Sequence, residues 1–438
     1  MKTRYTTPVL IAAAFAAAIV LLGATPAGAT GVSGTPPVIP TISETPGATL
    51  LLPYFEVDLA HPTGRTTRFW INNATATAVL VHVTIWSDLA VPVLAFNEYL
   101  TGYDVQPIDM RDIFNGKLPA TASAGQDPTD TISPKGQFSQ DINFASCYGQ
   151  LPLTVMPQIY VAYIQAALTG QFSSFNGACS ATVSPGLARG FVTIDTVNNC
   201  TLRLPGQPGY FGPGGSGDAT NQNVLWGEYQ YINSDTNGQA GNGAPLVEIE
   251  ADASNTLTNT ANNYTFYGRL DGPAWSAVDN REPLATNFAG RYVKNATYAV
   301  VWRDPKVAQQ PFACGTLPPW FPLGREGLEL FDEQEHVTTR VQSLESPAGI
   351  GLAFPAATQK VLVGSGPLPT PYASGWMFFN LNTHVGPAGD VPSSDKNAAQ
   401  GFVTMIREIN GGTFGNVGAE GGPAFRLDSA AAANHSNP

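Results

Sequence analysis

The stretch Thr66–Trp86, TTRFWINNATATAVLVHVTIW, decides the fold. In its second half Val79, Val81, Val83 and Ile85 fall on one side and Leu80, His82, Thr84 and Trp86 on the other. That is the period of two of a half-buried strand. β-Branched and aromatic residues fill it, as a pleated surface prefers. Thr66–Ile71 supplies a first strand and Asn72-Asn73-Ala74-Thr75 a polar turn. The expectation is a β-hairpin at the centre of a sheet, with Val81 and Val83 turned to the core and Thr84 to water.

Strands are expected on both sides of it. Ala48–Leu59 is one, with Pro53 at a bulge or edge, followed by Val91–Tyr99 and Val105–Ile113. Further strands are expected at Ala188–Val197, Asn223–Ile232, Pro245–Ala251 and Tyr264–Leu270. The segment Ala289–Arg303 reads as a second hairpin with Asn295 in its turn. Beyond it come Leu328–Phe331, Val337–Leu344, Lys360–Val363, Gly375–Leu381 and Gly401–Ile409. Turn residues at short intervals between such runs suit a sandwich. The chain should be mostly β, with one or two antiparallel β-sandwich (Ig-like) domains, long loops and one short helix. That helix is Pro157–Leu168, with Ile159, Ala162, Tyr163 and Ala166 as its apolar face and Gly170 as its stop. The two hairpins are alike only in pattern, and no repeat of fixed period is present.

Met1–Ala29 has the form of a secretory signal peptide: Lys2 and Arg4, an apolar run Val9–Leu22, and the small-residue site Ala27-Gly28-Ala29. Residues 30–46 form a Pro/Thr-rich linker, 47–270 an N-terminal sandwich domain with an inserted loop and helix, 285–428 a C-terminal β-rich domain and 429–438 a disordered tail. The mature chain has no apolar run long enough for a membrane helix. A net charge of −12 with only 21 Lys and Arg leaves no basic surface for nucleic acid. The expected location is periplasm, cell surface or extracellular space.

Four cysteines, Cys147, Cys179, Cys200 and Cys314, all lie past the leader. An even number in an exported chain reads as two disulfides. Three connectivities are open; the short local loop favours Cys147–Cys179 with Cys200–Cys314.

The run Leu50–Ile113, with its asparagine turn, alternating strand and LAFNEYL before Gly-Tyr-Asp, resembles a family of secreted, β-rich bacterial proteins of unknown function. ARGFVTIDTVNNC, NVLWGEY, LVEIEAD and FDEQE are similar to later parts of such proteins. The resemblance implies a β-rich exported protein and no particular activity.

Chemistry is sparse. Glu248, Glu250 and Asp252 in LVEIEAD share one face of a strand; an oxygen-rich cluster of this kind would suit calcium, and a solvated strand face with Arg269 or Arg281 beside it is the plainer reading. Asp332, Glu333, Glu335 and His336 offer carboxylates for glycoside hydrolysis or, more simply, a turn capped by Asp. No HExxH or GxSxG motif is present. Trp226, Trp275, Trp302, Trp320 and Trp376 can supply flat platforms for sugar rings, with Trp275 and Trp320 as the carbohydrate contacts expected first. The reading is a non-enzymatic surface, envelope or matrix protein with a surface protein or glycan as partner; the alternative is a carbohydrate-binding or glycoside-hydrolase-like protein.

Overall fold

A computed structural model describes residues 45–121, 142, 144–151, 153–233, 239–240, 244–252, 265–267, 279–282, 284–285, 287–304, 310–316, 326–342, 354, 356–381, 400–411, 415–423 and 425–426. The leader, most of the linker, the tail, Trp275 and Trp320 lie outside the described residues. Residues 38–438 belong to one compact unit.

The chain is mostly β, in antiparallel sheets. Strands β1 (Thr49–Asp58), β2 (Arg65–Asn73), β3 (Val79–Ser87), β4 (Pro92–Leu100), β5 (Val105–Asp109), β6 (Leu187–Val197), β7 (Leu225–Asn233), β8 (Gln239–Ala240), β9 (Ala244–Pro245) and β10 (Val247–Ile249) build two sheets. Sheet 1 has the order β5-β2-β7-β8, with β9 also on β7, and sheet 2 the order β10-β1-β6-β3-β4. Strands β11 (Asn287–Val293), β12 (Thr297–Arg303), β13 (Glu326–Phe331), β14 (Val337–Gln342), β15 (Thr358–Leu362), β16 (Ser374–Asn380), β17 (Gly401–Gly411), β18 (Gly415–Pro423) and β19 (Phe425–Arg426) build two more. Sheet 3 runs β15-β12-β17-β18 and sheet 4 runs β14-β13-β16-β11-β19.

Neither expected hairpin forms. β2 pairs with β5 and β7, whereas β3 pairs with β4 and β6. The Asn72–Thr77 connection is therefore an arch from sheet 1 to sheet 2. Asn73 fixes it: its amide nitrogen donates to the Thr77 and Thr101 carbonyls, and its Oδ1 accepts from Thr75 N. The second segment behaves alike, since β11 pairs with β16 and β19 while β12 pairs with β15 and β17.

The two pairs of sheets repeat one topology. The strands β2, β3, β4, β5, β6 and β7 have the same mutual neighbours as β11, β12, β15, β16, β17 and β19: β5-β2-β7 matches β16-β11-β19, and β4-β3-β6 matches β15-β12-β17. The hairpin β13–β14 is an addition beside β16 in the second set. Sequence periodicity gives no hint of this repeat.

Apolar clusters join the sheets in succession. The first takes Phe69 and Ile71 from sheet 1 and Val81, Val83 and Ile194 from sheet 2. The second covers the other face of sheet 2, with Leu80, Trp86 and Phe191, and receives Trp302 from sheet 3. A third fills the space between sheets 3 and 4, with Ala299, Val301, Met377 and Phe379. β3 is consequently buried on both faces. The expected wet side with Thr84 does not exist, because Tyr210 and Phe211 from the loop after β6, Tyr267, and Trp302 of sheet 3 pack over that face; His82 on the same side is fully buried too.

Other expectations shift. The Val105–Ile113 strand stops at Asp109, whose carboxylate accepts from Arg111 N and caps a second short helix, Met110–Phe114. The helix Gln158–Leu168 buries Val161, Ile164, Ala167 and Leu168 rather than the expected face; Ile159 and Tyr160 are exposed. It carries no charged residue, and two glutamines, Gln158 and Gln165, are too weak a polar signal to orient it. Thr265–Tyr267, expected in a strand, includes a turn. The disulfides are Cys147–Cys200 and Cys179–Cys314, not the expected pairing. Cys200 follows β6, where Ser146 Oγ accepts its N–H at 2.9 Å, and Cys179 exchanges backbone hydrogen bonds with Phe312. Pairing follows these contacts between distant segments, not the length of the loop closed.

Candidate functional site

Glu248, Glu250 and Asp252 alternate with buried Val247, Ile249 and Ala251, the expected period of two. Its neighbour is the segment Asn280–Glu282, held by Asp252 N to Asn280 O and Glu282 N to Glu250 O, both 2.9 Å. Among the described residues no group of three or more Asp, Glu, His or Cys gathers in a geometry that would hold a metal ion. Arg281, a suggested partner of these acids, turns away from them into the interior.

Asp332 shapes the β13–β14 turn. Its Oδ1 accepts from Gln334 N and His336 N at 2.9 Å each, and its Oδ2 lies 2.7 Å from His336 Nδ1. Glu333 accepts from Ser374 Oγ at 2.7 Å. These acids sit in one turn, where Asp332 caps backbone amides; they do not face each other across a cleft.

The second face of sheet 2 holds a polar layer that sequence reasoning missed. Asp195 accepts from Thr49 Oγ1 at 2.5 Å and from the hydroxyls of Tyr210 and Tyr267 at 2.7 and 2.9 Å. Arg281 Nη2 lies 3.9 Å from Asp195, and the guanidinium donates to Thr49 Oγ1 and to the Asp279 and Thr220 carbonyls. Both charges are fully buried. Such a pair persists only because each lone pair and N–H finds a partner. Burial drives the Tyr210 and Tyr267 hydroxyls well above the ordinary phenol range, with the Asp195 charge adding to it. Burial likewise raises Asp279, to about 6. His82 stands beside this layer; burial holds it below the usual histidine range, so it is neutral at pH 7. The signal in the sequence was a single acid, Asp195, inside the alternating apolar strand FVTIDTV.

Next to that layer is a cavity of about 30 Å³ lined by Trp86, Phe191, Thr193, Tyr267, Trp302 and Asp304 among others. It has room for about one or two waters and none for a sugar ring. Trp86 Nε1 donates to Thr193 Oγ1 at 2.9 Å, while Trp302 Nε1 and Thr84 Oγ1 are buried with no hydrogen-bond partner among the described residues. Phe266 and Trp302 stack with centroids 5.6 Å apart. This is a packed junction between sheets 2 and 3.

Of the exposed aromatic residues, Tyr103, Tyr148, Tyr160, Phe172 and Phe175 lie in loops or on the helix, and the two exposed indoles lie on the outward faces of sheets 1 and 4. Trp226 is 45% and Trp376 39% exposed, whereas Trp302 is buried. On sheet 1 the register sets Asn72 opposite Trp226 and Trp70 opposite Glu228. Gly227 permits this spacing, because a Cβ there would lie 2.2 Å from the Trp70 carbonyl oxygen. On sheet 4 Phe331 and Trp376 are register partners with stacked rings 3.9 Å apart. Beside them, a Cβ on Gly375 would lie 1.8 Å from the Phe331 carbonyl oxygen. Both glycines let a neighbouring strand come close next to an exposed indole.

Comparison with known proteins finds no matching family model and no matching curated sequence.

Proposed function

We propose that this is an exported, non-enzymatic protein of the cell surface, envelope or extracellular matrix, built from two Ig-like β-sandwiches and acting through the outward faces of its sheets. The observation that carries the reading is the distribution of chemistry in the described residues. Asp195, Asp279 and Asp332 serve the fold through hydrogen bonds to their neighbours, while the exposed indoles Trp226 and Trp376 stand on outward sheet faces. Two disulfides fit an oxidising compartment. Among the described residues no helix is long and apolar enough to cross a membrane.

The carbohydrate-active alternative needs two carboxyls set about 5–10 Å apart around a cleft. Fractionation of cells producing the full chain, with a hydrolysis screen on the purified exported protein, tests the reading. The expected result is export and no turnover. Retention in the cytoplasm, or turnover abolished by Asp332→Asn or Glu333→Gln, overturns it.

A further inference from the structure

The outward faces of sheets 1 and 4 are two separate aromatic surfaces on topologically equivalent sheets. On sheet 1, Trp226 stands opposite Asn72, and Trp70 lies one pleat repeat along the same face. Diagonal neighbours of this kind are about 7–8 Å apart. Asn72 is only 3% exposed and its Oδ1 has no hydrogen-bond partner among the described residues. That acceptor lies just beneath the surface beside an exposed indole, and the exposed Glu228 opposite Trp70 offers acceptors on the face itself. On sheet 4, the stacked Phe331–Trp376 pair stands beside Val337, which is 53% exposed and registers with Phe331.

We propose that these two faces are binding platforms for an uncharged polysaccharide. Three observations converge on that ligand. A sugar ring presents a flat face of C–H groups that packs on an indole and a rim of hydroxyls that needs donors and acceptors; sheet 1 supplies both. Arg68 is already paired with Asp109 at 2.7 Å, and the whole chain carries a net charge of −12, so an anionic polymer is repelled. Platforms on the two outer sheets of the stack suit a ligand that itself repeats, since separate chains of one polymer network can occupy both and together give avidity. The two indoles stand on different strands of those sheets, β7 and β16. The proposal rests on the exported surface-protein reading and names its partner and contact residues.

The test is co-sedimentation of the full exported chain with insoluble chitin and cellulose, and affinity electrophoresis in a soluble neutral β-glucan. Trp226→Ala, Trp376→Ala and the double variant are compared with Leu202→Ala, an exposed apolar residue away from both faces. Each single tryptophan variant should weaken binding about tenfold, the double should fall to background, and Leu202→Ala should bind normally. Trp226→Phe, which keeps a smaller aromatic face, should recover part of the loss. Thermal unfolding of each variant shows that the fold is retained. Full binding by the double variant, or no binding of the unmodified chain to any of the three polymers, overturns the proposal. A chain that is exported but binds none of them defeats the platforms alone; a chain that stays in the cytoplasm defeats the surface-protein reading as well.

Discussion

β2 and β3 follow each other in the chain and alternate alike, yet they meet different surroundings. β2 lies in sheet 1 and shows one face to solvent through Arg68 and Trp226 across from Asn72. β3 lies in sheet 2 and is buried throughout. The same contrast recurs between β11, where Arg291 is exposed, and β12, which faces an apolar cluster on each side. Alternation in sequence reports the direction of each Cβ, and the stacking of sheets decides whether the second direction is wet.

The sharpest way to break this contrast is a charge on either face of β3. Val83→Asp and Thr84→Asp should both unfold the protein or nearly so, because each buries an unpaired carboxylate against a total stability of about 5–15 kcal/mol. Arg68→Ala on the open face of β2 should cost within about 1 kcal/mol, as exposed ion pairs do. Thermal unfolding followed by circular dichroism ranks the three. A mild effect of Thr84→Asp would show that the second face of β3 is not covered.

Disulfide removal should come next. Cys179→Ser with Cys314→Ser opens a separation of 135 residues and Cys147→Ser with Cys200→Ser one of 53. Each should cost roughly 2–5 kcal/mol, with the longer loop the costlier. Denaturant midpoints of the two double variants check the order, and peptide mapping without reductant checks the pairing.

Glu98 separates the two halves more finely. It registers with Val81 and points into the first apolar cluster with neither carboxyl oxygen hydrogen-bonded among the described residues. The equivalent pair β12–β15 sets Val361 against Ala299. Burial, with the Asp104 charge adding to it, pushes the Glu98 carboxyl up to about 8 from its ordinary 4.5. The folded form keeps the proton that the unfolded form releases, so the contribution is favourable below the ordinary value and is lost as pH rises towards 8. Glu98→Gln should therefore gain up to a few kcal/mol of stability at pH 7–8 relative to the unmodified chain and nothing at pH 4. Denaturant titrations at the two pH values measure the difference; equal shifts at both would place Glu98 in contact with water.

The smallest effect is expected from Thr84→Val. The Thr84 hydroxyl is buried without a partner among the described residues, so an isosteric methyl should raise stability by about 1 kcal/mol. Destabilisation instead would mean that a water in the adjacent cavity bonds the hydroxyl.

The sequence by itself determined most strand positions, the irregularity near Pro53, the turn role of Asp332 and the alternation of Glu248, Glu250 and Asp252. These follow from β-branched content, period-two patterning and local side-chain to backbone bonding, all set within a few residues. Tertiary structure alone decided that Asn72–Thr77 is an arch, that β3 has no wet face, that Cys147 meets Cys200, and that Asp195 and Arg281 share one buried layer. Strand partners and cysteine pairs are chosen by the combined packing of segments distant in sequence, and a chain pattern carries no measure of which distant face will cover it.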